Sequence, residues 1–488
     1  MEKIFKNPWF LIFIILVIAA FLRLYQITQL PPGFYPDEAM DANNGVEAWT
    51  TDHFQFFYPE NNGREGLWSN IIGFFIFKIG HEPWVPRSVA AIFGILTVLG
   101  IYFLAKELFA EKIALLSSFL IATSFWQINF SRIGFRAILA PFFLIWAIYF
   151  LLKSLNKTDD KNKVHLIILS LLGGIFYGLG FYTYIAYRIT PLLILLTFFF
   201  YWKKSKLTTC DVVNSFIIFL ITTFVVAAPL GFYFLKNPQD FFSRTSQISV
   251  FSSPTPLKDL GINILKTAGM FNFVGDSNWR HNYPGQPELF WPVGILFLIG
   301  LILSFKSHSL KIENWKLKIP LAWLAFAALP VIISNEGMPH ALRALLMAPP
   351  VFIFAGAGGI WLYEFIISKA KNRKLFNAFV FIFLSLLVFQ AYFAYFILWG
   401  QNPNVTGAFT QNYVAIGRQL NALPKNLPKY VVVKAGGVLV RGLPMPAQTV
   451  MFITDTFEAT KQKEKNIFYI LPNQTNQIPA GSYVINLE

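Results

Sequence analysis

The stretch WFLIFIILVIAAFLRLYQITQLPPGFYPDEAMD, residues 9–41, runs from a long apolar segment into a polar loop headed by two adjacent carboxylates, Asp37 and Glu38. The apolar part extends from Trp9 to about Tyr25, follows Lys3 and Lys6, and has no small-residue cleavage site, so it reads as a retained signal anchor. Two carboxylates on a soluble surface mean little. Held at a membrane interface, ionisable groups are expensive and tend to mark chemistry or transport.

Composition carries the membrane reading through the whole chain. Hydrophobic residues make up 55% of the 488 positions, aromatic residues 18% and charged residues only 13%, against about 25% charged in a soluble domain. The net charge of +15 is spread between apolar runs. It therefore reads as a topology signal, and nucleic acid is not an expected partner. Cys210 is the only cysteine, which excludes an internal disulfide and a Cys-based zinc site. No GxGxxG, P-loop, HExxH or GxSxG pattern occurs, so nucleotide-dependent chemistry has no support.

Apolar runs of about 20 residues, the length needed to cross hydrocarbon, number roughly eleven. They cover approximately residues 9–28, 85–106, 112–131, 136–154, 164–185, 188–203, 212–235, 290–306, 319–335, 343–366 and 375–399. With the N-terminus inside, the lysine clusters Lys153/Lys157/Lys161/Lys163, Lys203/Lys204/Lys206, Lys306/Lys311/Lys316/Lys318 and Lys369/Lys371/Lys374 all fall on the cytoplasmic side. The expectation is a multi-pass plasma-membrane protein with its C-terminus outside.

Arginine sorts the other way. Arg64, Arg87, Arg132, Arg136, Arg188, Arg244, Arg280 and Arg343 all land on or near the outer face. Arginine grips phosphate with a planar fork where lysine offers a point charge. An outer ring of arginine around a carboxylate-bearing loop points to a phosphorylated ligand in the outer leaflet. Single arginines also snorkel to headgroups, which is the plainer reading for any one of them.

Two long segments lie outside in this topology, about residues 29–84 and 236–289. The first holds two amphipathic stretches, Glu38 to about Thr50 and Gly66 to Lys78, expected to lay their apolar faces on the membrane and line a cavity with their polar ones. The second includes MFNFVGDSNWRHNYPGQPELFW, a poor helix and poor strand rich in polar groups, and reads as a functional loop. A shorter loop, NEGMPHALR, places His340 and Arg343 about one turn apart. Beyond about residue 400, TGAFTQNYVAIGRQLNAL reads as an amphipathic helix. KYVVVKAGG, TVMFITD, NIFYIL and SYVINLE read as short strands. Residues 1–400 thus form a transmembrane domain and 401–488 a small extracytoplasmic α/β domain.

The order of these features resembles bacterial glycosyltransferase family 39, in the GT-C class of integral-membrane enzymes that includes protein O-mannosyltransferases and aminoarabinose transferases. The resemblance rests on Asp37-Glu38, NGREGLW at residues 62–68, SRIGFRAILAPFF at 131–143, GFYTYIAYRITPLL at 180–193, FNFVGDSNWRHNYPG at 271–285 and PHALRALLMAPP at 339–350. It implies an all-α polytopic fold and transfer of a sugar from a polyprenyl-phosphate donor to an extracytoplasmic acceptor in one inverting displacement. Asp37 would be the general base, with Glu38 orienting the acceptor or holding a second site. Arg188 and Arg343, then Arg136, Arg132 and Arg64, are candidates to grip the donor phosphate. Asp276, Arg280, His281 and Tyr184 belong to the substrate loops. Glu65 and His340 are candidates to hold a divalent metal ion. The physical requirements agree: a hydroxyl nucleophile needs a base, and a leaving phosphate needs cations. The plainer reading of Asp37-Glu38 is a helix N-terminus with acids in its first turn.

Two other classes stay open from sequence. A transporter or flippase of lipid-linked sugars would also need many spans and outer arginines, but repeat symmetry and broken mid-membrane helices, its usual marks, are not evident. A structural scaffold leaves the carboxylates and the arginine set unexplained.

Overall fold

The computed structural model describes residues 7–156, 163–202, 205, 207–305 and 313–488, the side chains of 243–246 and 314 excepted. Lys157, Lys161, Lys203, Lys204, Lys206, Lys306 and Lys311 lie outside the described residues, as does the Arg244 side chain. Eight described helices are long and apolar enough to cross a membrane: Trp84–Leu108, Arg136–Leu155, Lys163–Gly180, Ile185–Trp202, Thr209–Lys236, Trp315–Ile332, Arg343–Lys369 and Arg373–Trp399. The other three expected spans are shorter. Pro8–Leu24 has 17 residues and Trp291–Phe305 has 15. The expected span 112–131 breaks at Thr123-Ser124 into Glu111–Ala122 and Phe125–Phe130. The second piece buries Gln127 and Asn129, and Asn129 Nδ2 donates to the Arg280 carbonyl at 2.7 Å, so it supports a loop at the bundle's end.

Helix Arg136–Leu155 packs on Lys163–Gly180, which packs on Thr209–Lys236. Ala348–Lys369 lies among Glu111–Ala122, Trp291–Phe305 and Trp84–Leu108. Its first twelve residues are all buried. A helix apolar on every side belongs in the middle of a bundle.

The first loop folds into the two expected helices, Pro36–Thr51 and Leu67–Ile79. They cross at Gly45 and Gly73, where a Cβ on Gly45 would lie 2.1 Å from the Ser69 carbonyl oxygen, so only glycine permits the approach. The first of them does not lie on a membrane surface as expected. It is buried between Leu67–Ile79 and the C-terminal helix Ala447–Thr454, because its Ala, Asn, Gly and Met residues pack on both sides. The segment 236–289 opens with helices Pro238–Ile248 and Pro256–Gly269, ahead of the stretch expected as a loop. Each begins on a proline at its first position with an acid in its first turn, Asp240 or Asp259, which suits a helix start. Residues 270–290 are irregular, as expected.

After Trp399 the chain forms helix Gln411–Ala422 and a parallel sheet in the order Ile467–Ile470, Lys429–Val433, Tyr483–Leu487. The run TVMFITD, expected as a strand, is the helix Ala447–Thr454. All eight of its residues are buried, with Pro36–Thr51 on one side and Gln411–Ala422 on another. A run apolar on all sides suits a buried helix as well as a buried strand, and packing decided between them.

Candidate active site

Proline at the first helical position starts Pro36–Thr51 and puts Asp37 and Asp41, one turn apart, on one face. Both line a cavity of about 630 Å³ at the end of the bundle. The same cavity is lined by Arg136 and Arg343, each opening a 3₁₀ turn that leads into a membrane helix, by Arg188 near the end of such a turn, and by Arg280. Tyr35, Tyr184, Asn278, His281 and His340 complete the polar wall, and Phe241, Phe242, Leu329 and Ile333 the apolar one.

Each charged group has a defined setting. Asp37 accepts from Asn61 Nδ2 at 3.0 Å. Glu65, buried, sits between two guanidiniums, with Oε2 3.4 Å from Arg136 Nε and Oε1 3.3 Å from Arg188. One carboxylate between two arginines leaves a net positive charge facing the cavity. Arg188 also donates to the Phe241 carbonyl at 2.8 Å and lies 4.4 Å over that residue's ring. Arg343 is bound to Glu336 at 2.6 Å and to the Ser334 hydroxyl. Arg280 stacks at 3.9 Å on the Tyr35 ring, and its Nε has no hydrogen-bond partner among the described residues. Burial, then the neighbouring Asp37, pushes the Tyr35 hydroxyl up, which keeps it a donor.

The loop 270–290 supplies an acid–histidine pair. Asp276 Oδ2 meets His281 Nδ1 at 2.8 Å and accepts from the Ala341 N–H at 2.9 Å. Burial lowers the His281 pKa against the pull of Asp276. The ring is thereby held neutral with Nδ1 directed at the carboxylate. Behind it Glu288 Oε1 accepts from the Asp276 N–H at 2.8 Å, and burial pushes its carboxyl well up. Asp276, His281 and His340 place donor atoms within 4.8 Å of one another, a set able to hold one divalent ion.

Residues 67–231 match the family model described as dolichyl-phosphate-mannose-protein mannosyltransferase. No curated protein matches in sequence. Among solved structures the chain is similar to ArnT from Cupriavidus metallidurans in the apo state, with TM-score 0.58, 13% identity, 93% of this chain and 88% of that one. For ArnT bound to undecaprenyl phosphate the TM-score is 0.55 at 12% identity, over 98% and 92% of the two chains. The archaeal oligosaccharyltransferase AglB from Archaeoglobus fulgidus, in complex with an inhibitory peptide and a dolichol-phosphate, aligns with TM-score 0.56 and 12% identity over 96% of this chain and 70% of its own. The chain has a GT-C fold.

Within this GT-C fold the expected residues divide sharply. Asp37, Arg136, Arg188, Arg343, Arg280, His281, His340 and Tyr184 come together around one cavity. Glu38 does not join them. It is fully buried, paired with Arg87 through two 3.0 Å contacts, and accepts from the Gly134 N–H at 2.7 Å and the Tyr35 N–H at 3.3 Å. With so many donors on it, Glu38 ties the first loop to helix Trp84–Leu108 and to the Gly134 backbone, and it does not line the cavity. Arg64 is likewise committed, to Asp41 and, at 2.6 Å, to Asn44, and Arg132 to the carbonyls of Leu22 and Leu30. Neither lines the cavity. Glu65 belongs to Arg136 and Arg188, so the metal-capable set has Asp276 and His281 beside His340 in its place. Sequence reading missed Asp41, although its spacing from Asp37 marks one helix face. It also missed Asn61, Phe241 and Phe242, which reach the site only through loop and helix packing.

Proposed function

We propose that this protein transfers a sugar from a polyprenyl-phosphate-linked donor to a hydroxyl acceptor on the extracytoplasmic face. The observation that carries the reading is one cavity lined by Asp37 together with Arg136, Arg188, Arg280 and Arg343. Asp37 takes the acceptor proton as the acceptor oxygen bonds to the anomeric carbon. The bond from that carbon to the phosphate oxygen breaks, inverting the centre and releasing polyprenyl phosphate. The arginines meet charge as it develops on the leaving phosphate, where preorganised donors act most strongly.

The apolar wall supports a lipid-linked donor. Phe241 and Phe242 also line a groove of about 450 Å³ with Phe224, Phe232, Phe234 and Leu235, so an isoprenoid chain can lie there with its phosphate beside Arg188. The ArnT and AglB structures that hold undecaprenyl phosphate and dolichol-phosphate have the same fold, which supports this class of ligand. A divalent ion held by Asp276, His281 and His340 would supply further positive charge for the leaving group.

The reading places residues 1–400 in the membrane domain and 401–488 in an outer domain, with the N-terminus cytoplasmic. Reporter fusions at residue 372 should report inside and at 488 outside. The deciding experiment incubates purified protein with radiolabelled polyprenyl-phosphate sugars and a membrane extract. Label should move to an acceptor with wild-type protein and not with Asp37→Asn. Movement of intact lipid-linked sugar across vesicles, with no transfer, would instead establish a flippase.

A further inference from the structure

A second cavity, of about 350 Å³, lies behind the 270–290 loop. That volume falls at the small end of ligand pockets, about 300–1,000 Å³. Its polar lining comes from Thr123, Ser124, Asn282, Gln286, Glu288 and Gln390. Its apolar edge holds Phe290, Trp291, Phe393 and Leu398, all exposed, at the ends of two apolar helices. One of these, Arg373–Trp399, is long and apolar enough to cross a membrane. The cavity is therefore polar within and bordered by hydrocarbon-compatible surface.

Glu288 is its unusual member. The side chain is 2% exposed, one oxygen accepts from the Asp276 N–H, and the other, Oε2, has no hydrogen-bond partner among the described residues. The Ser124 hydroxyl is also unpartnered. Buried acceptors are nearly always satisfied, so an orphan carboxyl oxygen beside a cavity asks for a donor. No lysine or arginine lines the space, so a phosphate would meet a carboxyl with no cation to offset it. The other polar groups of the lining, the Thr123 and Ser124 hydroxyls and the Asn282, Gln286 and Gln390 amides, are neutral hydrogen-bonding groups of the kind that receive hydroxyls.

We infer that this cavity binds the uncharged, hydroxyl-bearing head of a membrane amphiphile, with Glu288 and Ser124 as its hydrogen-bond partners and the aromatic edge against its chain. The inference does not depend on the sugar-transfer reading.

The test uses full-length protein in lipid nanodiscs and two diazirine probes, a monohexosyl diacylglycerol and a phosphatidylglycerol of the same chain length. After photolysis, peptide mass spectrometry should place the glycolipid adducts in residues 283–293 and 387–398, competed by the unlabelled glycolipid. Ala394→Trp, which fills the cavity from its helix side, should abolish those adducts. Gln390→Leu, a milder change, should weaken them roughly three- to tenfold, the worth of one hydrogen bond. Glu288→Gln keeps an acceptor and should retain them. Equal labelling by phosphatidylglycerol, or undiminished labelling in both Ala394→Trp and Gln390→Leu, would overturn the inference. So would loss in a Glu288→Gln protein that melts like wild type, since that outcome demands a cationic head.

Discussion

Asn61 Nδ2 donates a 3.0 Å hydrogen bond to Oδ1 of Asp37, fixing the proposed base from a loop 24 residues away. The adjoining Glu60 is held at 3.0 Å by Arg441, in the turn of the short antiparallel hairpin Leu439–Pro444, and Arg441 also grips Glu47 through two 2.7 Å contacts. The C-terminal segment thus reaches Asp37 through one loop.

Replacing Asp37 with Asn should lower transfer by roughly 10²–10⁴-fold, the usual worth of a general base, while donor binding stays near wild type. Asn61→Asp should act differently. A second carboxylate beside Asp37 disfavours its charged form, so the acidic limb of the pH–rate profile should move to higher pH. An unmoved limb would separate Asp37 from the proton transfer.

Arg441→Ala should reduce kcat by about three- to tenfold with little change in the donor KM, because it loosens Asn61 and touches no substrate. Arg441→Lys should recover part of the loss. Equal effects on kcat and KM, or none, would limit the hairpin to a surface contact.

The arginines should separate by place. Arg188→Lys and Arg343→Lys keep charge but lose the planar fork, and should cost at least about tenfold in donor affinity or turnover, near 1.4 kcal/mol. Arg132→Lys should lower the melting temperature while the folded fraction stays active, since that side chain holds the Leu22 and Leu30 carbonyls. Steady-state kinetics beside thermal melts resolve the two classes.

Glu38→Gln should also act on folding. Removing one partner of a buried pair leaves Arg87 uncompensated, at a cost of about 3–5 kcal/mol. Turnover per folded molecule should survive; its selective loss would return Glu38 to the chemistry.

Two buried groups of the 270–290 loop should give opposite pH dependences. His281 has a lowered pKa, so its contribution to stability is present above the ordinary value of 6.5 and is lost as pH falls through the folded value. Glu288 has a raised pKa, so its contribution is full below 4.5 and is lost as pH rises through the folded value. Melting curves across pH should show His281→Gln flattening the acidic loss and Glu288→Gln flattening the alkaline one.

Composition and apolar run length by themselves determined a multispan helical bundle, because every backbone group in hydrocarbon must be paired within its own helix. The spacing of Asp37 beyond the first run, and arginines gathered at helix starts, marked the end of the bundle where the cavity lies. Sequence did not divide the arginines: Arg64 and Arg132 look like Arg136 and Arg188 until the partners of each are known. Nor did it separate Asp37 from Glu38, adjacent residues on a helix start that point about 100° apart, one into the cavity and the other onto Arg87. Whether TVMFITD is strand or helix, and whether Glu65 meets a metal or two guanidiniums, depended on neighbours hundreds or tens of residues distant. Local pattern sets which face of an element is apolar; only the tertiary packing decides what each polar group meets there.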